Sequence, residues 1–363
     1  MFLSTMRALL FLILAPACFG QAHIFDQIDT NRDGKVTPAE LPEQARPFMA
    51  LVDANGDGNL SKQEFERIAA VVRQLQGPAA GVETDERNID YVGDGHERQR
   101  LDLYFPEKRP AEPLPVVVYI HGGAWTMGNK REGQRYAEAI TGTGEFAVAS
   151  INYRLVQDAL WPAQIHDCKA AIRFLRANAE KYGIDPDRIA VMGSSAGGHL
   201  AALLGTSNGE KDLEGELGEF VETSSKVQAV VNFFGPTDFE TFYGEGADIV
   251  EMSRKNGAIK LLGMEEDEIR KNARLASPVH WVGREDAPFL TAHGTSDRLV
   301  PFSQAEQLDA ALDKAEVESH LIAMKGAGHG FQSAELNRRI KTFLDLHLRD
   351  VPGEISNEPI RVR

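Results

Sequence analysis

Cysteine is almost missing: among 363 residues only Cys18 and Cys168 carry a thiol. Cys18 falls in a leader-like segment, so once that segment is removed no internal disulfide can form. Cys168, on the apolar stripe of an expected helix, reads as a small core residue. Basic charge is also scarce. Lys and Arg total 39 against 54 Asp and Glu, a net charge of −15, which speaks against a nucleic-acid partner or an anionic membrane surface, because both need clustered cations. The N-terminal apolar run, Ala8 to Ala15, is too short to span a bilayer. It follows Arg7 and precedes small residues at Ala17 and Gly20, the three-part order of a secretory signal peptide over residues 1–20. The chain is therefore expected to be exported, periplasmic or secreted, with cleavage before Gln21. Cleavage before Cys18 would instead make a lipid anchor, but Ala15 and Pro16 fit that pattern poorly.

Apolar residues are present in globular proportion, 42% of the chain, enough for one large core and a smaller module. The smaller module comes first, over residues 21–76. It holds two tandem loops, one from Asp29 to Glu40 and one from Asp53 to Glu64. In each, positions one, three and five carry oxygen side chains suited to a hard cation: Asp29, Asn31 and Asp33, then Asp53, Asn55 and Asp57. Glycine at position six allows the sharp turn, position seven (Lys35, Asn59) offers a backbone carbonyl, and Glu40 and Glu64 supply the bidentate carboxylate at position twelve. The pattern predicts two calcium sites in a small all-α pair, with Val36 and Leu60 pairing as a short β-bridge. Such loops would stay loaded in extracellular calcium, which points to a structural cofactor and to no cofactor for catalysis.

Residues 77–88, with Gly77, Pro78 and Gly81, lack apolar periodicity and read as a linker. From 89 to 350 the pattern changes. Ile89–Val92 and Leu101–Phe105 alternate as half-buried antiparallel strands, and Val116–Ile120 is a continuous apolar strand. Strand and helix patterns then alternate through Phe146–Ile151, Pro162–Lys181, Arg188–Leu204, Val227–Phe234, Phe289–Ala292, Ser303–Leu312, Ser319–Met324 and Leu336–Leu348. This implies an α/β fold, a mainly parallel sheet with helices on both faces, entered through an antiparallel edge. Residues 238–277 break the rhythm and are expected to form a helical insertion over the sheet's C-terminal edge. The tail, 351–363, is polar and expected to be peripheral.

Chemistry concentrates at the ends of strands. Gly193-Ser194-Ser195-Ala196-Gly197 is the Gly-x-Ser-x-Gly turn between a strand and a helix; it raises the Ser195 hydroxyl above the sheet edge and sets the Ala196 amide at a helix N-terminus. A serine hydroxyl is nearly inert at neutral pH and needs a base, itself oriented by an acid. Of ten histidines, His329 has the best context, flanked by glycines after a strand. His199, four residues into the elbow helix, is expected to reach only local groups, and His293 lies ahead of the acid. Asp297 is favoured as that acid, with Asp238 its rival after the preceding strand. The order Ser195, Asp297, His329 then matches the nucleophile, acid, histidine order of one serine-hydrolase fold. Glycines in His121-Gly122-Gly123-Ala124-Trp125 let the amides of Gly123 and Ala124 join that of Ala196 as oxyanion donors.

These motifs, with Asn152-Tyr153-Arg154, Gly294-Thr295-Ser296-Asp297 and Gly328-His329-Gly330-Phe331, make residues 89–350 resemble the α/β-hydrolase superfamily. The similarity is to its carboxylesterase branch, which includes hormone-sensitive-lipase-like and bacterial feruloyl or acetyl-xylan esterase-like proteins. Ala124 departs from the third glycine usual in lipase-like relatives. The calcium loops resemble the compact EF-hand and dockerin-like pairs of exported bacterial proteins. The resemblance implies a serine esterase acting on small-molecule or carbohydrate esters, with acetyl or feruloyl as the acyl group. Two other readings stay open: an amide-cleaving serine hydrolase, peptidase or formamidase, and a calcium-dependent binding protein whose hydrolase domain is inactive.

Overall fold

A computed structural model describes residues 25, 28–41, 53, 56–65, 84–244, 247–251 and 260–362. The expected signal peptide, Asn55 and most of the expected linker lie outside these residues. The described residues fall into two compact units, one before residue 79 and one after it. In the first, β1 (Lys35–Val36) pairs antiparallel with β2 (Leu60–Ser61), and Val36 sits opposite Leu60 as expected. Phe25, Ile28, Val36, Leu41, Leu60 and Phe65 are buried there, with the Phe25 and Phe65 rings edge to face at 5.6 Å.

The second unit is built on one sheet of nine strands. In chain order these are β3 (Thr84–Asp90), β4 (Arg100–Tyr104), β5 (Leu114–Ile120), β6 (Ala147–Ile151), β7 (Ile184–Ser194), β8 (Ala229–Phe233), β9 (Phe289–Gly294), β10 (Ser319–Lys325) and β11 (Ile360–Arg361). In space they run β11-β10-β9-β8-β7-β5-β6-β4-β3. Only β3 with β4 and β4 with β6 pair antiparallel; the other pairs are parallel. From β5 the chain steps outward to β6, then returns to β7 and proceeds the other way to β8. The C-terminal ends of β5 and β7 thus flank the point where strand order reverses, the place where open α/β sheets bind ligands.

Every residue of β5 is buried, as a strand covered on both faces requires. Its side chains alternate between two cores. Val116, Val118 and Ile120 join one layer with α2 (Ala163–Ala177), α3 (Ala196–Thr206), α4 (Glu266–Leu275) and α5 (Ser303–Lys314). Val117 and Tyr119 join the other with α1 (Gln134–Thr141) and α6 (Ala334–Arg349). Spacings of three and four put Leu336, Ile340, Phe343 and Leu344 of α6 on its buried stripe, and the Ser333 side chain caps its first turn by accepting from the Leu336 amide at 3.3 Å.

Two stretches differ from expectation. β3 begins at Thr84, inside the segment read as linker, and its ladder with β4 is irregular. An edge strand with broken register needs little apolar periodicity, so its sequence looked like linker. At the opposite edge, Ile360 and Arg361 of the supposedly peripheral tail pair parallel with Met324 and Lys325. The insertion carries α4 and a 3-10 turn at Lys260–Leu262, but 239–243 are turns, so it is helical only in part.

Candidate active site

The turn at the end of β7 has no room for side chains at Gly193 and Gly197. A Cβ on Gly193 would run into the Gly197 carbonyl, and one on Gly197 into the Ile120 carbonyl at the end of β5. Between them Ser195 adopts φ 54°, ψ −119°, a conformation that costs on the order of 1–3 kcal/mol and persists only where surroundings enforce it. Its amide donates to the Phe233 carbonyl at 2.8 Å, and its carbonyl accepts from the His199 amide at 2.9 Å. Ser195 is the N-terminal cap of α3, yet its side chain makes no capping bond. The hydroxyl is turned outward instead.

There it meets His329, whose Nε2 is 2.9 Å from Ser195 Oγ. His329 Nδ1 is 2.7 Å from Asp297 Oδ2. The Asp297 carboxylate is fully shielded from solvent, whereas His329 keeps 19% of its side chain exposed. Burial works to raise the Asp297 pKa, but hydrogen bonds from His293 and His329 and from the Leu299 amide outweigh it and leave the group well below the usual carboxylate range. Asp297 Oδ1 accepts from the amides of Leu299 at 2.8 Å and Val300 at 3.1 Å. A carboxylate held in this way stays charged, fixes the imidazole proton on Nδ1 and leaves Nε2 free to accept the serine proton. The rival acid, Asp238, is turned to its own loop, accepting from the Glu240 amide and the Thr241 hydroxyl.

Beside the serine, the loop after β5 folds tightly. Gly123 (φ 110°) and Ala124 (φ 49°) are both in the left-handed half of conformational space. A Cβ on Gly122 would lie 3.5 Å from that of Ser195, so this loop is packed directly on the elbow. The Gly123 carbonyl accepts from the amides of Thr126 and Met127, both at 3.0 Å. Among the described residues, no protein acceptor is recorded for the amides of Gly123, Ala124 or Ala196. Ala196 opens α3, where the helix dipole favours an anion.

Three residues with no role assigned from sequence lie beside this loop. The Tyr153 hydroxyl donates to the His121 carbonyl at 3.0 Å, and its ring stacks on His121 at 4.3 Å. Asn152 Oδ1 accepts from the Lys130 amide at 2.7 Å. Arg154 pairs with buried Asp167 at 2.8 Å. Of the Asn-Tyr-Arg motif at the end of β6, Tyr153 thus braces the loop after β5 directly, Asn152 holds the segment that follows it, and Arg154 ties the motif to α2.

A family model, BD-FAE, matches residues 101–312. The chain belongs to the BD-FAE family. Esterase LipQ of Mycobacterium tuberculosis is 31% identical over 335 residues, 88% of this chain and 77% of LipQ. Esterase LipC of the same organism is 35% identical over 237 residues, 64% of this chain; the match spans only 57% of LipC. Among solved structures, a truncated carbohydrate esterase from gut microbiota shares 33% identity at a TM-score of 0.66, covering 75% of this chain and 99% of that one. An EF hand model matches residues 21–43 and 47–69.

In the EF-hand pair the donor set fits a hard cation. Gly34 and Gly58, at position six of each loop, have φ of 84° and 78°, the turn the sequence demanded. Asp29 is buried and turns its carboxylate inward, accepting from the amides of Asp33 at 3.1 Å and Gly34 at 2.9 Å. Asp53 does the same with Gly56 and Gly58, each at 2.7 Å. Asp33 and Asp57 accept from the amides of Lys35 and Asn59, both at 2.9 Å, and Asn31 accepts from the Asp33 amide. Glu40 folds back on Thr37 and Thr30, and these hydrogen bonds, led by the Thr37 amide, lower its pKa to about 2. Glu64 folds back on Ser61 in the same way. Among the described residues of the loops the side chains turned inward are oxygen donors, the set that suits a hard cation such as calcium.

Within the BD-FAE domain three contacts escaped the sequence reading. Phe234, at φ 42°, sets its ring edge-on to His329 at 4.6 Å. His293 is buried beneath the acid, with Nε2 2.9 Å from the Val300 carbonyl and 3.4 Å from Asp297. His199, expected to reach only local groups, touches Trp125 and Ala276, 74 and 77 residues away. Phe234 and His199 meet partners far away in sequence, which no local pattern signals, and His293 is turned onto Val300 and Asp297 of its own loop by the fold around it.

Proposed function

We propose that this chain is an exported serine esterase that removes acyl groups, acetyl or feruloyl, from carbohydrate. The observation that carries the proposal is the relay of 2.9 Å from Ser195 Oγ to His329 Nε2 and 2.7 Å from His329 Nδ1 to Asp297. Ser195 attacks the ester carbonyl as His329 takes its proton. The amides of Gly123, Ala124 and Ala196 receive the developing alkoxide, each worth roughly 3–4 kcal/mol in the transition state. His329 then returns the proton to the leaving alcohol. Water, deprotonated by the same imidazole, releases the acid from the acyl-enzyme. Carbohydrate as the alcohol is supported by the gut carbohydrate esterase and by the bifunctional GH43-CE protein of Bacteroides eggerthii, 34% identical at a TM-score of 0.65.

Two calcium ions would be held by Asp29, Asn31, Asp33, Lys35 O and Glu40, and by Asp53, Asn55, Asp57, Asn59 O and Glu64. Calcium there supplies charge neutralisation and cross-linking of the loops, and no part of the acyl transfer.

Initial rates on acetylated and feruloylated xylo-oligosaccharides, p-nitrophenyl acetate and a matched acetanilide test the assignment. Ester turnover that vanishes in Ser195→Ala is expected, with the oligosaccharide esters preferred in kcat/KM. Comparable anilide turnover would favour the amide-cleaving reading. No turnover on any of them would leave a binding protein.

A further inference from the structure

The oxyanion loop passes through two consecutive left-handed residues that are not glycine, Ala124 at φ 49° and Trp125 at φ 56°. Residues with a Cβ adopt that conformation only where neighbours hold them there. Trp125 makes the holding contacts with its side chain and its carbonyl. Its indole N–H donates to His199 Nδ1 at 3.2 Å, its ring meets the His199 ring edge-on at 5.4 Å, and its carbonyl accepts from the Val156 amide at 2.9 Å. His199 lies one helical turn beyond Ser195 and is fully buried, enclosed further by the rings of Phe239 at 5.1 Å and Trp161 at 5.9 Å.

An indole N–H can only donate, so His199 Nδ1 must be bare and the ring proton must sit on Nε2. That nitrogen faces the Ala276 carbonyl at 2.6 Å, an acceptor, and the tautomer is thereby fixed at both ends. Burial pushes the pKa of His199 down to about 4, so the ring stays neutral and keeps its acceptor. One side chain therefore joins three segments distant in sequence: the oxyanion loop, the nucleophile helix and the end of the insertion.

We propose that His199 is a positioning residue for catalysis, clamping Trp125 so that the amides of Gly123 and Ala124 are aimed at the alkoxide, and anchoring that clamp on Ala276. The proposal rests on the esterase reading of the site. It assigns His199 no contact with substrate; its effect passes through the strained loop. Misplacing oxyanion donors by about an ångström costs roughly tenfold to a hundredfold in rate and touches ground-state binding little.

His199→Phe removes the acceptor while filling the space, and Trp125→Phe removes the donor while keeping a ring. Rates are normalised to active sites titrated with a phosphonate, so that a loss of folded enzyme does not register. Each variant is expected to lower kcat on p-nitrophenyl acetate about tenfold or more with KM within about twofold, and the double variant to be no slower than the slower single. Unchanged kcat per titrated serine, or losses that multiply in the double variant, would overturn the clamp. Should His199→Phe fail to fold, Trp125→Phe alone decides by the same kcat criterion. A second readout needs no turnover: the Trp125 indole N–H, identified by its disappearance in Trp125→Phe, should exchange slowly with deuterium in the native chain and at least tenfold faster in His199→Phe. If native enzyme turns over no ester, the esterase reading fails, and the exchange measurement still judges the clamp. Fast exchange in the native chain would remove it.

Discussion

The elbow at Ser195 and the EF-hand loops at Asp29 and Asp53 are both tight, glycine-rich turns, but different forces shape them. Around Ser195 the backbone is packed against backbone: Gly193, Gly197 and Gly198 each abut a neighbouring main-chain or side-chain atom, and the strain at Ser195 is borne by strands on either side. Around Asp29 and Asp53 the position-six glycines Gly34 and Gly58 have open space where a Cβ would be, and the turn is drawn together by carboxylates accepting from loop amides. The first turn is held by packing and needs no ligand to keep its shape. The second is held by groups that a cation would recruit, so its stability is expected to follow calcium.

The sharpest way to break this comparison is at the nucleophile. Ser195→Ala should remove about 10⁴-fold or more of kcat with little change in melting temperature, because the oxyanion hole and packing survive. Retention of more than about 1% of the native rate would refute the relay as drawn. Asp297→Asn comes next: with the amide in place of the carboxylate His329 can take the wrong tautomer, and a loss of roughly 10³–10⁴ in kcat is expected. A larger loss for Asp238→Asn would transfer the acid's role to its rival.

Chelation addresses the other turn. A ligand at 100 times its Kd stabilises the state that binds it by about 2.7 kcal/mol, and a unit as small as the EF-hand pair has little core with which to replace that. Calorimetry with chelator should lower or abolish the transition of the EF-hand pair, while kcat on p-nitrophenyl acetate stays within about twofold. A tenfold fall in kcat would mean the loops serve the active site. An unshifted scan in millimolar calcium would mean they do not bind it.

What could be seen in the sequence follows the same division. The elbow, the Gly-Gly loop after β5 and both calcium loops are local patterns whose glycines and oxygens are required by the turn itself, and they are legible as they stand. Asp297 and His329 are short of that: each was found from its place after a strand and from chain order, and only the fold brings them within hydrogen-bond reach. The contacts of Asn152, Tyr153 and Arg154, the packing of Phe234 on His329 and the long reach of His199 were hidden, since each depends on which segments become neighbours in space. The edge strands failed for the opposite reason. Thr84–Asn88 and Ile360–Arg361 are held by one neighbouring strand apiece and carry too little apolar pattern to announce themselves.

One ionisable group lies within the packed catalytic frame and offers the finest test of it. Glu132 follows the glycine loop after β5, its Oε1 2.9 Å from where a Cβ on Gly128 would sit. Burial raises its pKa to about 7, against the charge of Arg135 and the amides of Asn129 and Gly122, which pull the other way. A carboxyl whose folded pKa exceeds its unfolded value, 4.5, holds its proton more tightly in the folded state. Its favourable contribution is complete below pH 4.5 and is lost as pH rises through about 7. Glu132→Gln, neutral at every pH, should therefore match the native chain in stability near pH 4.5 and exceed it at pH 8.5. The gain should be on the order of 3 kcal/mol, several degrees in melting temperature for a domain of this size. The comparison is a difference between two melting curves at two pH values, so other titrating groups cancel. A Glu132→Gln chain that is less stable at pH 8.5 would mean that the charged carboxylate is needed by the amides it faces, and that the frame around Ser195 is held by charge as well as by packing.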